Sequence, residues 1–346
     1  MTHLWVRAES RDHEARVGIM PDGVAALIAA GLRVTVEDSV QRIVPIADYV
    51  AAGAEIAAEG AWVDAPLDAL IFGLKELPAD GTPLRHTHIM FGHAYKGQPD
   101  GRVLLDRFKL GGGRLLDLEY LTDDTGRRVA AFGYWAGYAG AAVSLMCWMA
   151  QQQGKVMGPV RAVPTQAALL ADLRGAMAGI TAPLPSALII GALGRVGTGA
   201  ADLCRDMGVG TTLWDMAETA SGGPFPEILA HELFFNCILA RPGTPVFVPA
   251  SAKTAERRLS VIGDIACDPD SDFSPIKVYD RVTTWDAPAL RVHDAPVLDV
   301  TAIDNLPSLM PLESSADFAA QLLPHLAAPG SDVWARASKL FDQAIA

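Results

Sequence analysis

The stretch "ALIIGALGRVGTGAADL", residues 187–203, constrains the fold of this chain more than any other. A compact apolar strand runs into Gly191, Gly194 and Gly197 at intervals of three, and an Ala-rich helix starts immediately. So sharp a strand-to-helix bend calls for residues without a Cβ. The free N–H groups at the start of the helix, together with its dipole, then favour a bound anion. The next apolar run, "TTLW", leads into Asp215, about 20 residues past Gly194, where a carboxylate receives ribose hydroxyls. Three spaced glycines alone also fit an ordinary turn. The full order of strand, glycines, helix, strand and acid predicts a dinucleotide site, and an acid at 215 repels the extra phosphate of NADP. The expected cofactor is NAD, held by Gly191, Gly194, Arg195, Val196, Gly197 and Asp215.

The rest of the chain keeps the same rhythm. "HLWVRAE" and "RVTVED" read as strands with the helix "PDGVAALIAAG" between them, Pro21 suiting its first turn and Gly31 the position past its last. "DALIFGLKE", "HTHIMFGHAY" and "GGGRLLDLEYL" are further apolar runs that end in polar clusters, so the first 130 or so residues predict an open, mainly parallel sheet. A second α/β unit starts at Ala187 and runs through "TTLWDM", "HELFFNCIL" and "RRLSVIGDIACD" to a strand, a Pro-marked turn and a terminal helix. With 346 residues, 50% of them hydrophobic, two domains of roughly 130–200 residues are expected.

One segment complicates this picture. "AAFGYWAGYAGAAVSLMCWMA", residues 130–150, has no charge, is long enough to cross a bilayer, and spaces Gly133, Gly137 and Gly140 as membrane helices space small residues. It stands alone among α/β signals, and a helix buried on all sides reads the same way, so no membrane association is expected. Lys+Arg of 28 against Asp+Glu of 40 gives a net charge of −12, which opposes a nucleic-acid partner. The four cysteines form no C-x-x-C pair, and the first residues do not resemble a secretory leader; a reducing cytoplasm is expected.

The candidate chemistry lies in the first half. Lys75 closes the run "ALIFGLKE" at a strand end, where open α/β sheets place ligands, and burial or neighbouring cations there would lower its pKa toward that of a general base. A Lys75–Glu76 pair that solvates the strand end fits the local sequence equally well. In "HTHIMFGHAYKGQ", three histidines have no nearby cysteine or carboxylate to complete a metal site, and no metal is expected. His93 follows the strand and precedes Lys96 by three residues, which pairs an acid–base group with a cation, although a structural histidine also fits. Glu119 ends "RLLDLEYL", with Arg127 and Arg128 shortly after, and Arg16 lies in "HEARVGIMPDG". Guanidinium forks suit carboxylates, of a substrate or of an internal ion pair.

Together "EARVGIMP", "GLKELP", "FGHAYKGQ", "DLEYLTDDTGRRVAAFGYWAGYAGAA", "IIGALGRVGTGA", "WDMAETASGGPF" and "AIDNLPSLMPLESS" resemble the NAD-dependent, L-lysine-forming saccharopine dehydrogenases, relatives of alanine dehydrogenase and transhydrogenase. The resemblance runs in order along almost the whole chain. It implies two Rossmann-like domains with mainly parallel twisted sheets and a cleft between them: a substrate domain of residues 1–133 and 311–346, and an NAD domain of residues 134–310. It implies oxidation of saccharopine to an imine that water splits into L-lysine and α-ketoglutarate. Lys75 would take the amine proton, His93 would serve imine hydrolysis and Glu119 would tune both. Arg16, Lys96, Arg127 and Arg128 would hold carboxylates, and Asp304 would lie by the nicotinamide. Val196 stands where some members carry a cysteine able to pair with one matching Cys237, so no such disulfide can form here. A monomer or weak homo-oligomer is implied. Another opine-like amine or amino acid as substrate is the alternative, which the four cationic residues argue against for a substrate as small as alanine.

Overall fold

The computed structural model describes residues 1–96 and 99–346. The chain divides into two compact units, one made of Met1–Ala131 with Pro311–Ala346, the other of Phe132–Met310.

The first unit starts β1 (His3–Val6), α1 (Pro21–Ala29), β2 (Arg33–Glu37), α2 (Ile46–Ala51), β3 (Glu55–Ala57), β4 (Leu70–Phe72), β5 (Thr87–Met90), α3 (Pro99–Gly111) and β6 (Arg114–Asp117). Its six strands pair in the order β3-β2-β1-β4-β5-β6, all parallel. Strand order reverses between β1 and β4, and such a switch point opens a crevice at the carboxyl ends of the strands. Pro21 fills the first turn of α1, where its missing N–H costs nothing.

The second unit holds α4 (Gly133–Gln152), α5 (Gln166–Met177), β7 (Ser186–Ile190), α6 (Arg195–Asp206), β8 (Gly210–Trp214), α7 (Met216–Thr219), β9 (Leu233–Asn236), β10 (Val261–Asp264), β11 (Leu290–Asp294) and β12 (Val297–Thr301). The sheet order is β11-β12-β10-β9-β7-β8, parallel except for β11 at the edge. Here the reversal falls between β7 and β9. The chain then returns to the first unit as α8 (Pro311–Leu326) and α9 (Asp332–Ile345). Arg114 on β6 bonds Asp342 and Ser338 of α9, and Phe341 of α9 packs edge-on against Phe108 of α3. Both units are thus α/β with mainly parallel sheets, as the sequence predicts.

The chargeless segment is α4, and its burial within its own unit explains its composition. Tyr138, Cys147 and Trp148 are fully or nearly fully buried, and a Cβ on Gly137 would sit 1.8 Å from the carbonyl oxygen of Val196 on α6. The small residues therefore serve close helix approach, the same physics that suits them to membranes. At the rim, Tyr134 and Tyr138 donate to Asp202 and Asp206 of α6 at 2.8 Å each. No helix among the described residues is long and apolar enough to cross a membrane.

Candidate active site

Three parallel neighbours of the first sheet deliver the candidate chemistry at their carboxyl ends. Lys75 follows β4, His93 follows β5, and Glu119 follows β6. None is on the strand itself. Beyond β6 the chain folds into a 3-10 turn, Leu118–Tyr120, because the Asp117 carboxylate accepts the Glu119 N–H at 2.9 Å. That turn aims Glu119 back across the sheet end, where Oε2 lies 3.2 Å from Nδ1 of His93 and Oε1 accepts from Nζ of Lys96 at 2.8 Å.

One carboxylate between an imidazole and an ammonium sets the local charge. The hydrogen bond from His93, more than burial or Lys96, holds Glu119 down at about 2. Reciprocally, the same bond raises the His93 pKa. The His93 backbone has φ of +47°, in the left-handed region that non-glycine residues avoid. Backbone strain of this kind persists only where the surroundings impose it. Here α3 packs on it, for a Cβ on Gly101 would meet the Ala94 Cα at 2.7 Å and the His93 carbonyl at 3.0 Å. A cavity of about 350 Å³ opens beside His93, lined also by Glu76, Leu77, Leu104 and Arg107.

Lys75 is partly buried, and desolvation first, then the Arg16 charge, lowers its pKa. Arg16 is itself buried and forms a bidentate pair with Glu14, at 2.8 Å from Nε and 2.6 Å from Nη2. The neighbouring Val17 N–H donates to Ser315 of α8 at 2.8 Å, which fixes this loop against the returning helix. Arg128 is exposed; a turn closed by the Thr122–Arg128 bridge brings its charge to bear on Glu119 and Lys96. Arg127 is also exposed, its backbone N–H held by Asp123 at 3.0 Å.

The sequence reasoning passed over Glu14 and Asp117. Asp117 is fully buried, and burial raises its carboxyl to about 6. Its spacing two residues before Glu119 is a signal for such a turn. His86 and His88 are structural in their surroundings. Nε2 of His86 lies 3.0 Å from the Ala65 carbonyl, and His88 sits edge-on to Trp62 and Phe108. Among the described residues no cluster of His, Cys, Asp or Glu could hold a metal ion. Gly97 and Gln98, the end of the "FGHAYKGQ" motif, lie outside the described residues.

In the second unit the glycine turn follows β7 beside the switch point. Gly191 has φ of +88°, and a Cβ on Gly197 would meet the Gly191 carbonyl at 2.2 Å, so helix and turn touch through bare backbone. Gly194 caps α6 without any side-chain hydrogen bond, and the N-terminal end of the dipole of this twelve-residue helix favours an anion. Exposed Arg195 opens α6, and half-buried Val196 packs on Gly133 of α4. Asp215, just past β8, accepts from the Leu193 N–H of the glycine turn at 3.0 Å. Asp304 is exposed just past β12, a strand parallel to β8 but on the other side of the sheet. All four cysteines are free; burial pushes the Cys237 thiol far up.

A family model described as "Alanine dehydrogenase/PNT, N-terminal domain" matches residues 5–139. Among solved structures, an L-alanine dehydrogenase superposes with a TM-score of 0.69 at 19% identity, covering 99% of this chain and 94% of that one. A transhydrogenase from Sinorhizobium meliloti follows with a TM-score of 0.63 at 17% identity over 94% and 93%. The fold is therefore that of the alanine dehydrogenase and transhydrogenase class, with two Rossmann-like units.

Within that class the assignment is narrower. The chain is 44% identical to "Saccharopine dehydrogenase [NAD(+), L-lysine-forming]" of Emericella nidulans, over 99% of this chain and 97% of that protein. The enzymes of the same name from Neurospora crassa and Schizosaccharomyces pombe are 43% and 42% identical, covering 100% and 98% of this chain and 97% of each. The chain belongs to the NAD-dependent, L-lysine-forming saccharopine dehydrogenase family.

Proposed function

We propose that this chain catalyses the reversible NAD-dependent oxidation of saccharopine to L-lysine and α-ketoglutarate. The observation that carries the proposal is identity above 40% along essentially its whole length with enzymes of that name. The site chemistry supports it.

Saccharopine is a secondary amine that bears several carboxylates, so its oxidation needs a neutral amine, a proton acceptor and cations. Lys75, its pKa lowered by burial and by Arg16, takes the proton from the amine. Bound NAD would supply the hydride acceptor for the carbon that bears the nitrogen. His93 then moves protons as water adds to the imine carbon and the carbon–nitrogen bond breaks. Glu119 keeps His93 basic enough for both directions of that transfer. Arg16, Lys96, Arg127 and Arg128 supply positive charge for the carboxylates.

The second unit fits the cofactor. Gly191 and Gly197 leave the backbone bare where a pyrophosphate would approach, and the start of α6 at Gly194, Arg195 and Val196 would hold it. Asp215 would receive the ribose hydroxyls, and Asp304 would lie by the nicotinamide.

The test follows NADH absorbance with purified protein, L-lysine and α-ketoglutarate, beside pyruvate with ammonia and beside NADPH. Oxidation of NADH with lysine and α-ketoglutarate alone is the expected result. Turnover with pyruvate and ammonia but none with lysine would overturn the substrate.

A further inference from the structure

We infer that the buried pair Arg7 and Glu9 positions Lys75 by gripping its main chain, so that both are positioning residues for the reaction; the inference rests on the role proposed for Lys75. β1 ends at Val6 and β4 at Phe72, and the residues that follow lie side by side at the switch point of the first sheet. The backbone there has left the regular ladder, and its polar groups need other partners.

Glu9 supplies them on one side. Its Oε1 accepts the Leu74 N–H at 2.6 Å and its Oε2 accepts the Lys75 N–H at 3.0 Å. Arg7 supplies the other side, donating from Nη2 to the Lys75 carbonyl oxygen. The two side chains also meet each other, Nη1 of Arg7 lying 3.4 Å from Oε2 of Glu9. Both peptide groups that flank the Lys75 Cα are therefore held by a single ion pair.

The surroundings are shaped to admit that pair. Arg7 is 2% exposed and Glu9 8%. A Cβ on Gly73 would stand 2.4 Å from Nε of Arg7, so the residue two before Lys75 makes room for the guanidinium. Burying two charges is costly unless their hydrogen bonds are spent well. Here three of them are spent on the main chain of Leu74 and Lys75, and Nη1 of Arg7 donates besides to the Ala8 carbonyl at 3.0 Å. On the Lys75 ammonium itself burial acts first, followed by the charges of Arg16, Glu14, Arg11 and Glu76. Arg7 and Glu9 thus fix where the main chain that carries the amine stands, while burial and the other four act on its charge.

A displaced base loses rate steeply, about a hundredfold for an error of 1 Å. Glu9→Gln keeps one acceptor and sets an amide donor against a backbone donor, while Arg7→Lys keeps the charge and loses the fork. The experiment measures kcat and, separately, NADH dissociation by fluorescence for both variants, for Lys75→Met and for the double variant Glu9→Gln/Lys75→Met. The expected result is that each clamp variant loses about ten- to a hundredfold in kcat with NADH affinity unchanged, and that the double variant is no slower than Lys75→Met. Turnover close to that of the unaltered protein in both clamp variants would overturn the inference. So would loss of NADH binding in step with kcat, or losses that multiply in the double variant, since either marks a general structural role. Full turnover in Lys75→Met would instead sink the role of the lysine, and it is read independently of the clamp variants.

Discussion

Nδ1 of His93 lies 3.2 Å from Oε2 of Glu119, and neither residue belongs to a strand. The contact depends on the 3-10 turn after β6 and on the left-handed backbone of His93. Replacing the carboxylate with an amide weakens the hydrogen bond that most raises the His93 pKa and removes the Glu119 charge that adds to it. Glu119→Gln should therefore lower that pKa, and the limb of the rate profile that reports His93 should move to lower pH. Titration of the His93 imidazole by NMR checks the direction, and an upward or absent shift contradicts it.

Cofactor choice should follow Asp215. Its carboxylate accepts from Leu193 N–H and from Met216 N–H, at 3.0 and 2.9 Å, which pins it at the glycine turn. Replacing it with serine removes the repulsion of a 2′-phosphate and one partner of the ribose. The NADPH/NADH ratio of kcat/KM should rise by about tenfold or more, equivalent to ~1.4 kcal/mol. Parallel progress curves with the two cofactors measure it.

Stability should fall in acid through His88. Its ring is fully buried, makes no hydrogen bond among the described residues, and is pushed down to about 3, first by desolvation and then by Arg7. Between its ordinary value of 6.5 and about 3, the unfolded chain binds a proton that the folded one refuses. The contribution is fully present above about pH 6.5 and drains away below it, on the order of 5 kcal/mol in total. His88→Phe should flatten the pH dependence of urea unfolding over that window.

Gly137→Ala should destabilise the second unit. The added methyl would meet the Val196 carbonyl at 1.8 Å, so α4 and α6 must move apart. Overpacking of this kind costs about 1–3 kcal/mol. Calorimetry should show an earlier transition, and an unchanged one would mean that the helices separate without penalty.

The second unit was the more legible in sequence, because its decisive elements are contiguous. Strand, glycines, helix and acid occupy residues 187–215 and follow backbone rules that a local pattern can carry. Lys75, His93 and Glu119 were legible as residues at run ends, but the meeting of His93 with Glu119 was not. It arises from parallel pairing of strands separated by helices and loops, and from turns such as the one Asp117 caps. Glu9 and Arg7 were hidden for a further reason: their work is done through hydrogen bonds to the backbone of a segment more than 60 positions away. Residue types at the distant end give no hint of such a partner. The expected strand boundaries also ran long, since "RLLDLEYL" reads as one apolar run while its ladder stops at Asp117.

The return of α8 and α9 sets an order of events during synthesis. The half of the protein that carries Lys75 is begun first and finished last. Phe341, on the last helix, is 1% exposed against Phe108, and β6 is tied to the same helix through Arg114. Until that helix leaves the ribosome, the outer face of β6 and the core around Phe108 stay uncovered, while residues 132–310 already hold every strand of their own sheet. Nascent chains paused before residue 311 should present a finished second unit beside an adhesive, incomplete first one, the species that chaperones engage.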